Sequence, residues 1–186
     1  AAEVEGGVEL WSLLTVLAWS GRRPVAVFAA THGDCRRVLD DQLPRAERLM
    51  FWAVDKGGVG RGWGPLTEPA YHAIRSVADV DQDPDEPLWR TTYDNEWTAV
   101  RMARVLERVA LRAGVEDLQL YDLRRRAITR ILDGVGGRIA QAQRYTGHRT
   151  AQTLLRYVYS EQGEAESAAP AIGWSAPQLA AVEEEG

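Results

Sequence analysis

Hydrophobic and polar positions follow helical periods over most of the chain. The stretches VELWSLLTVLAW (8–19) and PVAVFAAT (24–31) are apolar on all sides and flank a break at SGRRP, which predicts two buried helices. Further helices are predicted over 67–78, 94–114, 122–133, 137–146 and 150–159. The segment 94–114 has the clearest amphipathic pattern, beginning at an Asp/Asn cap and ending at Gly114.

A different pattern lies between the second and third of these helices. RRVLD, RLMFWAV and GWGPL carry β-branched, aromatic and alternating positions, which predicts strands, and DKGGVGRGWG reads as a flexible hairpin tip. The expected fold is therefore mainly α with a small antiparallel β-sheet (α+β). We expect a flexible lead-in over 1–7, one folded unit over 8–160 and an acidic C-terminal tail over 161–186.

Composition limits the classes of protein to consider. A chain of 186 residues with 45% hydrophobic and 26% charged residues can bury one full core. The longest apolar run is about half of what a membrane span needs, and no signal-peptide pattern opens the chain. The single cysteine, Cys35, excludes an internal disulfide. We therefore expect a cytoplasmic protein with no membrane partner.

Charge is distributed unevenly. The formal net charge is −5, yet residues 120–156 contain eight arginines and two acidic residues, and the tail from Glu161 has six glutamates and no basic residue. This basic block is either a surface that faces phosphates or a solvated helix face. Lysine occurs once, as Lys56.

The chain lacks the sequence motifs of several common binding sites and enzymes. GVGRGWG has no P-loop ending, DVDQDPDEP has Pro84 where a calcium loop needs glycine, and the three histidines have no metal-ligand spacing. The residues that remain suit phosphoryl transfer: arginines can clamp a phosphodiester, lysine can protonate a leaving oxygen, and tyrosine can attack phosphorus. No cofactor or metal is expected.

Two motifs in the basic block resemble a known family. YDLRRRAITRIL is followed by GRIAQAQRYTGHRTAQTLLRY, which resembles the catalytic domain of tyrosine recombinases (phage integrases). The matching residues are Arg124 in YDLR, His148 in TGH, and Tyr157, nine residues after the histidine.

Two upstream positions extend the resemblance. SGRRPVA matches the family's first arginine segment with Gly21 and Arg23, although Arg22 is an alternative to Arg23. Lys56 falls on the predicted hairpin, where the family has its catalytic lysine. The resemblance covers positions 10–160.

The resemblance implies a mechanism and a partner. Tyr157 would attack the scissile phosphate of double-stranded DNA, Arg23, Arg124 and His148 would hold that phosphate, and Lys56 would protonate the leaving 5′-oxygen. A homo-tetramer on DNA is implied, with a C-terminal segment such as AIGWSAPQLAAV docking on a neighbouring protomer; a disordered tail is the alternative. Further contacts to DNA are expected from Arg125, Arg126, Arg144 and Arg149.

Two positions depart from the family pattern. The histidine of the second motif is replaced by Tyr121, a phenol that can hydrogen-bond a phosphate but accepts protons poorly. Ala26 replaces an acidic residue three positions after Arg23. These departures leave open a non-catalytic DNA-binding homologue, and a type IB topoisomerase would use the same set of residues.

Overall fold

The computed structural model describes residues 2–54, 61–155 and 157, without the side chains of residues 2–6, 52–54 and 61–63. Within them the chain forms one two-stranded antiparallel sheet and the following helices, with a further helical turn at 151–155: α1 (Ala2–Trp19), α2 (Pro24–Phe28), α3 (Arg36–Leu39), α4 (Arg45–Arg48), β1 (Met50–Val54), β2 (Arg61–Pro65), α5 (Glu68–Arg75), α6 (Ala99–Arg112), α7 (Leu120–Gly134) and α8 (Ile139–Thr146). The predicted class, mainly α with a small antiparallel sheet, is confirmed.

The main core is built around α1. This helix packs against α5 and α7, and its residues Leu13, Val16 and Leu17 are almost completely buried. A polar contact lies inside the same core: the Trp89 indole donates to Ser12 Oγ at 3.0 Å, and Ser12 donates onward to the carbonyl of Ala73. Because buried polar groups are costly when unpaired, this chain of bonds fixes how the central helix meets its neighbours.

A second, smaller core forms behind the basic block. It joins Ile128 and Ile131 of α7 to Ala142 of α8 and to Leu154 in the helical turn of residues 151–155. Tyr157 packs against this cluster. The C-terminal part of the described chain is therefore anchored on α7 and α8 by apolar contacts.

Three local predictions require correction. The pattern of RRVLD predicts a strand, but Arg36–Leu39 is a short helix that follows a 3₁₀ turn. The amphipathic helix begins at Ala99 instead of residue 94, because Thr98 is its cap and accepts from the Arg101 amide. The second helix ends at Phe28 and not at residue 31.

The first helix also extends beyond its predicted start. α1 runs from Ala2 and contains Gly7 at φ 64° and ψ −154°, so two helical stretches meet at this residue. The predicted tail, 161–186, lies outside the described residues. Over the part of the chain that is described, no helix has both the length and the apolar character to cross a membrane.

Candidate anion site on helices α7 and α8

Helix α7 places Arg124 in the interior. The helix begins at a capping box in which the Asp122 carboxylate accepts from the Gln119 amide at 2.8 Å. Arg124 lies on the same side as Ala127 and Ile128, and only 3% of its surface is exposed. A buried guanidinium is unusual unless it is paired or serves a ligand.

His148 is positioned by the end of α8. Gly147 terminates the helix in the left-handed conformation at φ 69°, which reverses the chain and turns the next residue inward. His148 is 6% exposed, and its Nε2 lies 3.1 Å from Arg124 Nη2. Its other ring nitrogen, Nδ1, lies 2.7 Å from the hydroxyl of Thr146.

Tyr157 lies beside this pair. Its ring centroid is 5.6 Å from that of His148, at an interplanar angle of 57°. Its hydroxyl is a hydrogen-bonding and electrostatic neighbour of Arg124. Since Leu154 is fully buried one turn earlier, the second core holds the tyrosine against the site in the same molecule.

The two adjacent arginines of SGRRP have different surroundings. Arg23 caps α2, immediately before Pro24, and its charge acts on both Arg124 and His148. The guanidinium of Arg22 lies against Gly64 of β2 and Gly147, and its Nη2 donates to the carbonyl of Arg144 at 3.4 Å. Arg22 therefore joins the hairpin to the end of α8, whereas Arg23 contributes charge to the site.

Burial and like charge determine the protonation of the cluster. Burial, followed by the charges of Arg124 and Arg23, lowers the pKa of His148 from 6.5 to about 4. Burial also lowers the pKa of Arg124, against an opposing contribution from Tyr157. At neutral pH, His148 is therefore a neutral imidazole beside two cations.

One nitrogen of the buried arginine remains available. Within the described part of the chain, Nη1 of Arg124 is buried and makes no hydrogen bond. An unpaired buried donor costs free energy that an incoming anion would recover. The cluster of Arg124, His148 and Tyr157, with the charge of Arg23 nearby, is therefore a candidate site for an oxyanion.

The other predicted site residues are more dispersed. Tyr121 is 66% exposed, although it lies near enough to Arg124 to interact with it electrostatically. Arg125 is half-buried, and the remaining predicted DNA contacts, Arg126, Arg144 and Arg149, are exposed. Lys56, and Arg156 next to the tyrosine, lie outside the described residues. Ala26 is half-buried in α2, where its methyl group supplies no acid to Arg23.

Sequence reasoning missed the contributions of Thr146 and Arg22. The signal for Thr146 was its place two residues before the histidine in TGH. The spacing from Gly21 favours Arg23 over Arg22 for the site, but it does not predict where Arg22 lies, because the glycines that contact Arg22 are more than 40 residues away in the chain.

Gly21 provides a test of the packing beneath this site. The residue has φ 64°, and an added Cβ would lie 3.0 Å from Thr146 Cγ2 and 3.1 Å from Ile131 Cδ1. We expect Gly21→Ala to reduce the free energy of unfolding by about 1–3 kcal/mol through backbone strain and crowding, measured by urea denaturation. Gly114→Ala is the matched control, with φ 69° and nothing within 4 Å of its Cβ. Equal losses in the two variants would show that Gly21 is not closely packed.

The chain is similar in sequence to one tyrosine recombinase. No family model matches the chain. A tyrosine recombinase XerC of Corynebacterium glutamicum is 33% identical over 116 residues, which is 61% of this chain and 37% of that protein. This chain therefore spans well under half of the curated relative.

Solved structures share the fold at lower identity. XerA recombinase aligns with a TM-score of 0.64 at 18% identity, over 86% of this chain and 57% of XerA. XerH recombinase bound to its difH substrate aligns at 0.62 and 17% identity, over 93% of this chain and 48% of XerH. The Tn1549 transposon integrase, in complex with circular intermediate DNA, aligns at 0.54 and 18% identity, over 86% of this chain and 58% of the integrase.

Proposed function

We propose that this chain, which is tyrosine recombinase-like in sequence and in fold, is the catalytic part of a site-specific DNA recombinase. The observation that carries the proposal is the meeting of Arg124, His148 and Tyr157, which come from α7, the end of α8 and the following helical turn. DNA is the proposed partner, since two of the similar solved structures are DNA complexes. The catalytic domain is assigned to residues 8–160.

The proposed reaction is transesterification at phosphorus. The Tyr157 oxygen bonds to the phosphorus and loses its proton, while the bond to the 5′-oxygen breaks and that oxygen gains a proton. The products are a 3′-phosphotyrosyl DNA and a free 5′-hydroxyl, and the reverse steps rejoin the strand. Because the ester bond is exchanged and not hydrolysed, the proposed reaction needs no nucleotide. The two arginines are proposed to supply the positive charge that a metal ion would otherwise provide.

The surrounding residues stabilise the charge that develops on the phosphate. Arg124 offers Nη1, which has no hydrogen-bond partner among the described residues, and Arg23 adds a second positive charge that is already present before the substrate binds. Such preorganised donors act most strongly in a site with little water. Lys56 is proposed as the acid for the 5′-oxygen, on the sequence resemblance alone.

Assembly is a separate part of the proposal. The resemblance supports a homo-tetramer on two duplexes, with the apolar stretch of the tail docking on a neighbouring protomer. Exposed Arg126, Arg144 and Arg149, with half-buried Arg125, are proposed to contact the DNA backbone around the site. Such contacts would make binding weaker as salt increases.

The activity is tested by trapping the covalent intermediate. A pool of nicked duplexes with random sequence around the nick is incubated with the protein, and denaturant-resistant protein–DNA adducts are isolated and sequenced. We expect adducts with the wild type and at least about a 1,000-fold loss with Tyr157→Phe, which retains the ring and removes the nucleophile. Tyr159→Phe is the control for a neighbouring tyrosine.

The alternative is a DNA-binding homologue without chemistry. It is favoured by Tyr121, which takes the place of a histidine and is largely exposed. Wild-type protein that binds the duplexes but forms no more adduct than Tyr157→Phe would contradict the catalytic proposal and support this alternative.

A further inference from the structure

We propose that Thr146 is a positioning residue for His148: its hydroxyl fixes the ring orientation of the histidine by pairing with Nδ1, while the bond from Arg124 keeps Nε2 unprotonated in the free protein. The three side chains form a row in which Arg124 Nη2, His148 and Thr146 Oγ1 are joined at 3.1 and 2.7 Å. Only the expected effect of Thr146 on DNA cleavage rests on the proposed function; its contact with His148 does not.

The direction of each hydrogen bond follows from what the groups can donate. A guanidinium has no acceptor, so Arg124 Nη2 must donate and His148 Nε2 must accept. A neutral imidazole that accepts at Nε2 carries its proton on Nδ1. That proton points to Thr146 Oγ1, and Thr146 donates its own proton to the carbonyl of Ala142 at 2.9 Å. The three bonds are mutually consistent in only this direction.

Packing holds the threonine in place. Thr146 is 2% exposed, and its methyl group lies against the backbone of Gly21. Its hydroxyl is tied to the last turn of α8 through Ala142. The acceptor for Nδ1–H is therefore fixed by the helix that also supplies Gly147, so the imidazole cannot turn freely in its pocket.

The charges around the ring favour the same state. Arg124 on α7 and Arg23 before α2 are both cationic, and they disfavour a second proton on the imidazole. Tyr157 faces the ring from the following helical turn. A hydroxyl at position 146 suits this surrounding, because it can accept from Nδ1 or donate to it. It therefore remains a partner when Nε2 must donate to a phosphate oxygen, which a methyl group would not.

The direct test is the tautomer of His148 in the free full chain. Nitrogen-15 spectra of histidine-labelled protein at pH 7, assigned by comparison with His148→Gln, should show a protonated Nδ1 and an unprotonated Nε2. Thr146→Ser should reproduce this spectrum, because it keeps the hydroxyl. Thr146→Val, which has nearly the same shape, should leave Nδ1–H without its acceptor and so shift the Nδ1 signal of His148 from its wild-type position. Protonated Nε2 in the wild type, or identical His148 signals in Thr146→Val, would overturn the inference.

The functional test uses the nicked-duplex pool. We expect Thr146→Val to slow adduct formation about tenfold at unchanged DNA affinity, and Thr146→Ser to restore most of the rate. Adduct formation by Thr146→Val at the wild-type rate would overturn the inference while the proposed function stands. Wild-type protein that shows the expected tautomer and forms no adduct would leave Thr146 as the positioning residue of His148 and refute the proposed function.

Discussion

Arg124→Met is expected to stabilise the free protein while abolishing the proposed anion site. The guanidinium is 3% exposed, lies near the charge of Arg23 and has one nitrogen without a hydrogen bond among the described residues. Replacing a buried ion pair by apolar side chains of similar volume is often neutral or stabilising by about 1–4 kcal/mol, and the same desolvation argument applies to this buried guanidinium. We expect a gain of about 1–2 kcal/mol in urea denaturation, since the bond to His148 is lost at the same time.

The same variant should lose the response to phosphate. Inorganic phosphate should raise the melting temperature of the wild type, because a ligand that binds only the folded state stabilises it, and Arg124→Met should show no such rise. Arg126→Met is the matched control for stability, as it makes the same change at an exposed position of α7. Reduced stability of Arg124→Met without phosphate would show that the arginine is structural, against our interpretation.

The stability of the protein should fall between pH 6.5 and pH 4 because of His148. Its pKa is 6.5 in the unfolded chain and about 4 in the fold, where burial and the two arginines disfavour the charged ring. As the pH falls through this range, the unfolded chain binds a proton that the folded chain does not. The histidine should therefore cost about 1–3 kcal/mol of folding free energy by pH 4, and the contribution is absent above pH 7.

The measurement is urea denaturation at several pH values. His148→Gln should show a smaller loss of stability over this range than the wild type, because it removes the titrating group. His72→Gln is the control, since it removes a histidine whose side chain is exposed. Parallel curves for the wild type and His148→Gln would mean that the ring titrates in the fold much as it does in the unfolded chain.

Much of the fold follows from local patterns. Periodicity predicted α7 and α8 to within three residues, because each has a continuous apolar face and a recognisable end. The prediction of a strand at RRVLD is wrong because so short a run of apolar and polar residues fits the repeat of a strand as well as that of a helix. Contacts with β1 and α5 favour the helix. The start of α6 was misjudged because Asp94 and Asn95 resemble a cap, while the hydrogen bond to Thr98 forms one.

The sequence by itself determined the fold class, the family resemblance and the identity of Arg124, His148 and Tyr157, because motif spacing and helical period are local properties. Only the tertiary structure decided how these residues meet. Burial lowers the pKa of His148. The Arg22 side chain lies against Gly64 and Gly147, whereas Arg23 contributes its charge to the site. The Thr146 hydroxyl lies beside Nδ1 of His148. These contacts form only when α2, β2, α7 and α8 pack together. Such long-range contacts determine how deeply a side chain is buried and which charges lie near it, and no short segment of sequence encodes them.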